Sequence, residues 1–120
     1  MSFLKEEELK NILPINGPSV EEVKKYIDKY NDELIVIKCG GSVLIDPNLF
    51  DIFIKDVAIL KKIGLSPIIV HGGGKRINSK LTELNIQSNF IKGLRVTDDK
   101  TINIVEDVLI ELNKEIVNAL

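Results

Sequence analysis

Three consecutive glycines, Gly72-Gly73-Gly74, follow the apolar run Ile68-Ile69-Val70-His71 and precede Ile77, Leu81 and Leu84 at helical spacing. The β-branched run reads as a buried strand, the glycines break it, and the later spacing predicts a helix over residues 75–84. Glycine at such a junction permits positive φ and close approach of the main chain to a ligand. The first turn of the helix adds unpaired N–H groups and the positive end of its dipole. A strand, a bare turn and a helix in that order suit an anion, although a turn built for packing alone accounts for the triplet equally well. Two phosphate motifs are excluded. A Walker A loop would need glycine at Ile69 and a hydroxyl at Arg76, and the dinucleotide fingerprint would need a small residue at Ile77.

The same pattern occurs upstream. Leu34-Ile35-Val36-Ile37 reads as a strand and runs into Lys38-Cys39-Gly40-Gly41-Ser42. A lysine there can set an ammonium beside exposed backbone donors, as phosphoryl transfer requires, or can simply snorkel out from a strand end. Between the two strands, Asp46-Pro47 starts a helix with the apolar stripe Phe50, Phe53, Ile54, Val57, Leu60 and Ile63, and Gly64 ends it. A strand, a helix and a strand make a crossover with parallel strands. Both glycine turns then lie at strand carboxyl ends, where open α/β sheets bind ligands.

Upstream, residues 2–13 form a short amphipathic helix carrying Phe3, Leu4, Leu9, Ile12 and Leu13, closed by Pro14. Ser19 and Glu22 make a capping box for a second helix, whose apolar face is Val20, Val23 and Ile27 with Tyr26 and Tyr30. Residues 1–31 thus read as a helical arm, packed on its own domain or reaching for a partner, and residues 32–120 as the α/β part. Downstream, residues 89–97 have Gly93 between two extended runs and read as a β-hairpin from which Arg95 projects. A guanidinium beside the glycine turns can take a carboxylate in two parallel bonds, or stay an unpaired surface charge. Asp98 or Asp99 caps a last helix with Ile102, Val105, Leu109, Leu112, Ile116 and Leu120 on its stripe. Two parallel strands and a hairpin make an incomplete sheet, so the chain reads as the front portion of a longer protein, with Leu109, Leu112 and Ile116 left partly uncovered and ready to self-associate.

With 44% hydrophobic residues in 120, a core is available to one domain. Sixteen basic and eighteen acidic residues give a net charge of −2 with no basic block, which argues against nucleic-acid and membrane-surface binding. The single cysteine, Cys39, excludes an internal disulfide framework and fits a reducing cytoplasm, and no apolar run approaches a membrane span. A soluble, cytoplasmic protein with a small-molecule partner is expected.

Ile37-Lys38-Cys39-Gly40-Gly41-Ser42, Ile68 to Gly74, and Gly93-Leu94-Arg95-Val96-Thr97-Asp98, in this order and spacing, resemble the amino-acid kinase family from about Tyr26 to Leu120. The resemblance implies an α/β fold, an open, mainly parallel sheet sandwiched by helices, of which this is the N-terminal, acceptor-substrate part. Within the family the likeness is to members that phosphorylate the side-chain carboxylate of N-acetyl-L-glutamate with ATP and Mg2+, in arginine biosynthesis. By resemblance, Lys38 steadies the transferring phosphoryl group, and Gly40 and Gly41 donate backbone N–H bonds to phosphate. Gly73 and Gly74 hold the substrate, and Arg95 grips its α-carboxylate. These roles match a reaction that asks chiefly for positioning and charge neutralisation. The family's second catalytic lysine, metal-organising aspartate and nucleotide-binding half would lie downstream of Leu120, so the 120 residues alone are expected to be inactive. The family also forms homo-oligomers, and one is expected here.

Three other readings remain at this point. The chain can be a non-catalytic fragment that binds acetylglutamate or another anion. It can belong to a family member acting on a different carboxylate or carbamate. A cysteine hydrolase using Cys39 and His71 is the third, though it lacks an evident orienting residue.

Overall fold

The computed structural model describes residues 4–120. Phe3, assigned above to the first helix, lies outside the described residues. Ten elements follow one another: α1 (Glu6–Ile12), α2 (Val20–Tyr30), β1 (Leu34–Cys39), α3 (Gly41–Ile45), α4 (Pro47–Lys62), β2 (Ser66–His71), α5 (Gly74–Glu83), β3 (Asn89–Ile91), β4 (Leu94–Val96) and α6 (Asp99–Ala119).

Local chemistry places most of the boundaries. Ser19 and Glu22 form the expected capping box, with Glu22 N donating to Ser19 Oγ at 3.2 Å and Ser19 N to Glu22 Oε2 at 2.9 Å. Asp46 caps α4 by accepting from Asn48 N and Leu49 N, Pro47 opens the helix, and Gly64 leaves it in the left-handed region at φ 99°. Asp98, rather than Asp99, caps α6, accepting from Thr101 N at 2.8 Å. The hairpin turns through Lys92 and Gly93, both at positive φ (50° and 80°), which matches the twist of its short strands. The short helix α3 was not anticipated, because Gly40-Gly41-Ser42 reads as a turn and five residues are too few for periodicity.

β1 and β2 pair in parallel with Leu34 opposite Ser66 and Cys39 opposite His71, and β3 pairs antiparallel with β4. The strands are not buried on both sides, as their continuous apolar runs suggest. Burial alternates, so that Ile35, Ile37, Cys39 and Ile69 face the helices while Leu34 (68% exposed), Val36 (65%), Ile68 and Val70 (50%) lie on an open face. The reason is that the cluster of α3 to α6 lies on one side of this pair.

That cluster is the main core: Cys39, Leu44, Ile54, Ile77, Leu81, Val108, Leu112 and Ile116, with Phe50, Phe53, Ile69, Val105 and Leu109 against it. Leu112 and Ile116 are therefore buried, and Leu109 is partly covered, contrary to the expectation of an open α6 stripe. The stripe is rotated from the expected one. Thr101 is buried near the start of α6 and Ile102 is half exposed, because the inward face of the helix runs through Thr101, Ile104, Val105 and Val108. The arm forms a second cluster of Leu9, Val23 and Ile27, joined to the body through Ile63, which supports packing on its own domain. Tyr26 and Tyr30 stand outside this cluster and stack on each other instead, with ring centroids 6.3 Å apart.

Candidate functional site

The two glycine turns leave adjacent parallel strands at the same edge, and a backbone bond from Gly72 N to Cys39 O, 3.1 Å long, ties them together. Gly40 is the N-cap of α3 and Gly41 its first residue; Gly73 is the N-cap of α5 and Gly74 its first residue. The first N–H groups of both helices thus open at the carboxyl edge of the sheet, where an anion can be held.

The glycines have unequal reasons to be glycine. None of Gly72, Gly73 and Gly74 lies in the left-handed region, Gly73 being extended at φ 178°, so the expectation of a left-handed turn is not met. Gly73 is buried against α6: a Cβ there would stand 2.9 Å from Leu109 Cδ2 and 3.0 Å from Leu112 Cδ1. It lacks a side chain because the last helix occupies that space. At Gly40, Gly72 and Gly74 an added Cβ would meet nothing within 4 Å, so their main chain faces open space.

Lys38 is the penultimate residue of β1, on the open face, with no ion pair or side-chain hydrogen bond recorded among the described residues. Arg95 is brought to the second turn. Its Nη2 donates to Asn78 Oδ1 and, at 3.4 Å, to Gly74 O; its Nη1 donates to Ser88 Oγ at 3.0 Å; and its guanidinium lies 4.7 Å from the centre of the Phe90 ring. Hairpin and α5 N-terminus are thereby joined through one side chain.

Sequence reasoning missed Lys75. Its stem passes over Gly41, with Cδ 3.4 Å from where a Cβ would stand, and its Nζ donates to Ser42 Oγ at 3.2 Å, so it bridges the two turns. Lys75 directly follows the triplet and α5 begins there, which is the only signal the sequence carries for it. Asn78 and Ser88 gave no signal at all, since their roles depend on how the hairpin folds back. Arg76, beside Lys75, turns the other way into two 2.6 Å bonds with Glu115 of α6. That bond holds the Glu115 carboxyl below its ordinary range and raises Arg76.

Cys39 and His71 face each other in register, but they do not form a nucleophile pair. The thiol is 2% exposed and burial raises its pKa, which suppresses the thiolate. His71 Nδ1 donates to Gly72 O at 2.9 Å, and the cysteine-hydrolase alternative falls. Among the described residues no group of three or more His, Cys, Asp or Glu side chains is placed to hold a metal ion. A concavity of about 250 Å³ under the arm, lined by Leu4, Leu9, Lys24, Ile27, Asp28 and Ile63, lies away from the glycine turns.

The geometry defines a class, an α/β domain with paired glycine turns at the ends of parallel strands, and residues 33–120 match the Amino acid kinase family. The chain belongs to that family. Over all 120 residues it is 77% identical to the acetylglutamate kinase of Pelagibacter ubique (strain HTCC1062), covering 42% of that protein. It is 50% identical over 100 residues, 82% of this chain, to the acetylglutamate kinase of Caldanaerobacter subterraneus subsp. tengcongensis, covering 33% of it. The chain thus spans less than half the length of these relatives. Among solved structures, N-acetylglutamate synthase from Neisseria gonorrhoeae, complexed with coenzyme A and N-acetyl-glutamate, superposes with a TM-score of 0.69 over 83% of this chain and 23% of that one. At 19% identity this likeness establishes the fold.

Proposed function

We propose that the chain is the acceptor-substrate part of an acetylglutamate kinase, which transfers the terminal phosphoryl group of ATP to the side-chain carboxylate of N-acetyl-L-glutamate. One observation carries the reading: the Gly40-Gly41 turn and the Gly72-Gly73-Gly74 turn are held side by side by the Gly72–Cys39 bond, with Arg95 seated on the second. The 77% identity to a protein of that name supports it.

In this reading the backbone N–H groups of Gly40 and Gly41 receive phosphate oxygens, and Lys38 neutralises charge that develops during transfer. Gly73 and Gly74 hold the acceptor by their main chain, and Arg95 takes its α-carboxylate. The attacking oxygen belongs to the acceptor, so no protein nucleophile is required. ATP and Mg2+ belong to the same proposal. Among the described residues no group of three or more His, Cys, Asp or Glu side chains stands together to hold the metal.

The division at residues 31 and 32 into arm and kinase part is supported by the arm's separate core and by a family match that starts at residue 33. A homo-oligomer is also proposed, and the apolar open face of β1 and β2 supports it, since Leu112 and Ile116 of α6 are buried within the chain. No described helix is long and apolar enough to cross a membrane, and a cytoplasmic location is the companion proposal.

The test joins the chain to the remaining part of such a kinase and measures ATP-dependent acetylglutamyl phosphate, trapped with hydroxylamine. Lys38→Ala is expected to lower turnover about a hundredfold or more while acetylglutamate binding persists. Turnover within a few fold of the parent would remove Lys38 from the mechanism. Robust transfer by residues 1–120 alone would refute the division of labour.

A further inference from the structure

Every partner of the Arg95 guanidinium is electrically neutral: Asn78 Oδ1, Ser88 Oγ, Gly74 O and the face of Phe90. No carboxylate lies within ion-pair distance of it among the described residues, although acidic side chains outnumber basic ones, 18 to 16. Arg76 makes the contrast, since it sits on the same helix as Asn78 and is taken up on two bonds by Glu115. One arginine is neutralised as a strut, and the other is positioned without being neutralised.

The arrangement around Arg95 closes on itself. Ser88 Oγ accepts from Nη1 and can donate to Asn78 Oδ1 at 3.5 Å, while Asn78 accepts from Nη2. Two neutral acceptors from different segments therefore orient the fork, and the ring of Phe90 supports its plane. The bond to Gly74 O, at 3.4 Å, is the longest that the guanidinium makes and the easiest to exchange for a ligand oxygen. Orientation reduces the entropy lost on binding, and the absence of a protein carboxylate leaves the full charge for an anion.

We infer that Asn78 is a specificity-determining positioning residue, whose neutral amide, with Ser88, presets a charged Arg95 for a carboxylate-bearing acceptor. This rests on the proposed reading of Arg95 as the group that holds the α-carboxylate. Aspartate at position 78 would hold the arginine at least as well. It would also neutralise the charge that the ligand needs, so stability and affinity move in opposite directions. A residue with a purely structural role would move both together.

The experiment uses the 15N-labelled chain, residues 1–120, titrated at millimolar concentration with N-acetyl-L-glutamate and with its α-carboxamide analogue. Amide shifts at Gly73 and Gly74 report binding, and thermal melts report folding. The parent is expected to prefer the α-carboxylate over the α-carboxamide by at least about tenfold. In Asn78→Asp the affinity for acetylglutamate should fall by about tenfold or more, the preference should vanish, and the melting temperature should hold or rise. Ser88→Asp, which brings the same charge from the neighbouring loop, should give the same loss. Binding by both variants within about twofold of the parent overturns the inference and leaves the functional reading standing. A fall in melting temperature for both variants also overturns it. Failure of the parent to bind, or to prefer the α-carboxylate, overturns the reading of Arg95 itself.

Discussion

Replacing Gly73 by alanine should damage the fold, whereas the same change at Gly74 should not. At Gly73 the new methyl group would stand 2.9 Å from Leu109 Cδ2 and 3.0 Å from Leu112 Cδ1, and Leu112 is only 1% exposed. Both contacts are to side-chain ends packed in the α6 interface, so the leucines must shift to admit the methyl group, and overpacking of this kind costs about 1–3 kcal/mol. At about 2.1 cal/mol/K per residue, a 120-residue chain unfolds with an entropy of about 250 cal/mol/K, so each kcal/mol shifts the midpoint by about 4 °C. Gly73→Ala is thus expected to melt about 4–12 °C below the parent. At Gly74 the methyl group meets nothing within 4 Å and the residue opens a helix, so its midpoint should stay level or rise slightly. Thermal unfolding followed by circular dichroism measures both. Equal midpoints for the two variants would refute the claim that the glycines answer to different constraints. Trimming the obstacle provides a control: Leu109→Ala combined with Gly73→Ala should cost less than the sum of the two single changes.

Two further outcomes follow from the ionisable groups. Because the Arg76 bond lowers the Glu115 carboxyl, its stabilising contribution is fully present above the unfolded carboxylate range and is lost as pH falls through the lowered folded value. Both side chains are partly exposed, so the loss should stay below about 1 kcal/mol, and urea midpoints of Glu115→Gln should lack that part of the acid dependence shown by the parent. Cys39, buried and with a raised pKa, should react with a thiol reagent at pH 8 only after denaturation; prompt labelling of the native chain would contradict the packing described.

Features governed by a few neighbouring residues were legible in the sequence. Ser19 with Glu22, Asp46 with Pro47, and Gly64 each act within one helical turn, so their chemistry is complete in the local string. The parallel pair and the hairpin were legible for the same reason, and so was the family. What failed depended on distant partners. A continuous run such as Leu34 to Ile37 lacks alternation and cannot disclose which face will be covered. Periodicity placed Tyr26 and Tyr30 beside Val23 and Ile27, but nothing local indicates where the arm's neighbours end. Gly73 looked like a conformational requirement because Leu109 and Leu112, which exclude its side chain, belong to another helix. In the site, the candidate positions were readable as residue types, whereas the Lys75 bridge and the Arg95 cradle arise only when separate segments meet.

The bond between Gly72 N and Cys39 O adds one rung to the ladder just where the two turns begin. The gap between them is consequently set by the spacing of neighbouring strands, about 4.8 Å, a length that the peptide backbone itself defines. Side-chain substitutions in either turn can alter charge or fit without changing that ruler. For the proposed phosphoryl transfer, where a displacement of about 1 Å can cost a hundredfold in rate, the fixed distance lies in the main chain, and the side chains around it are free to vary.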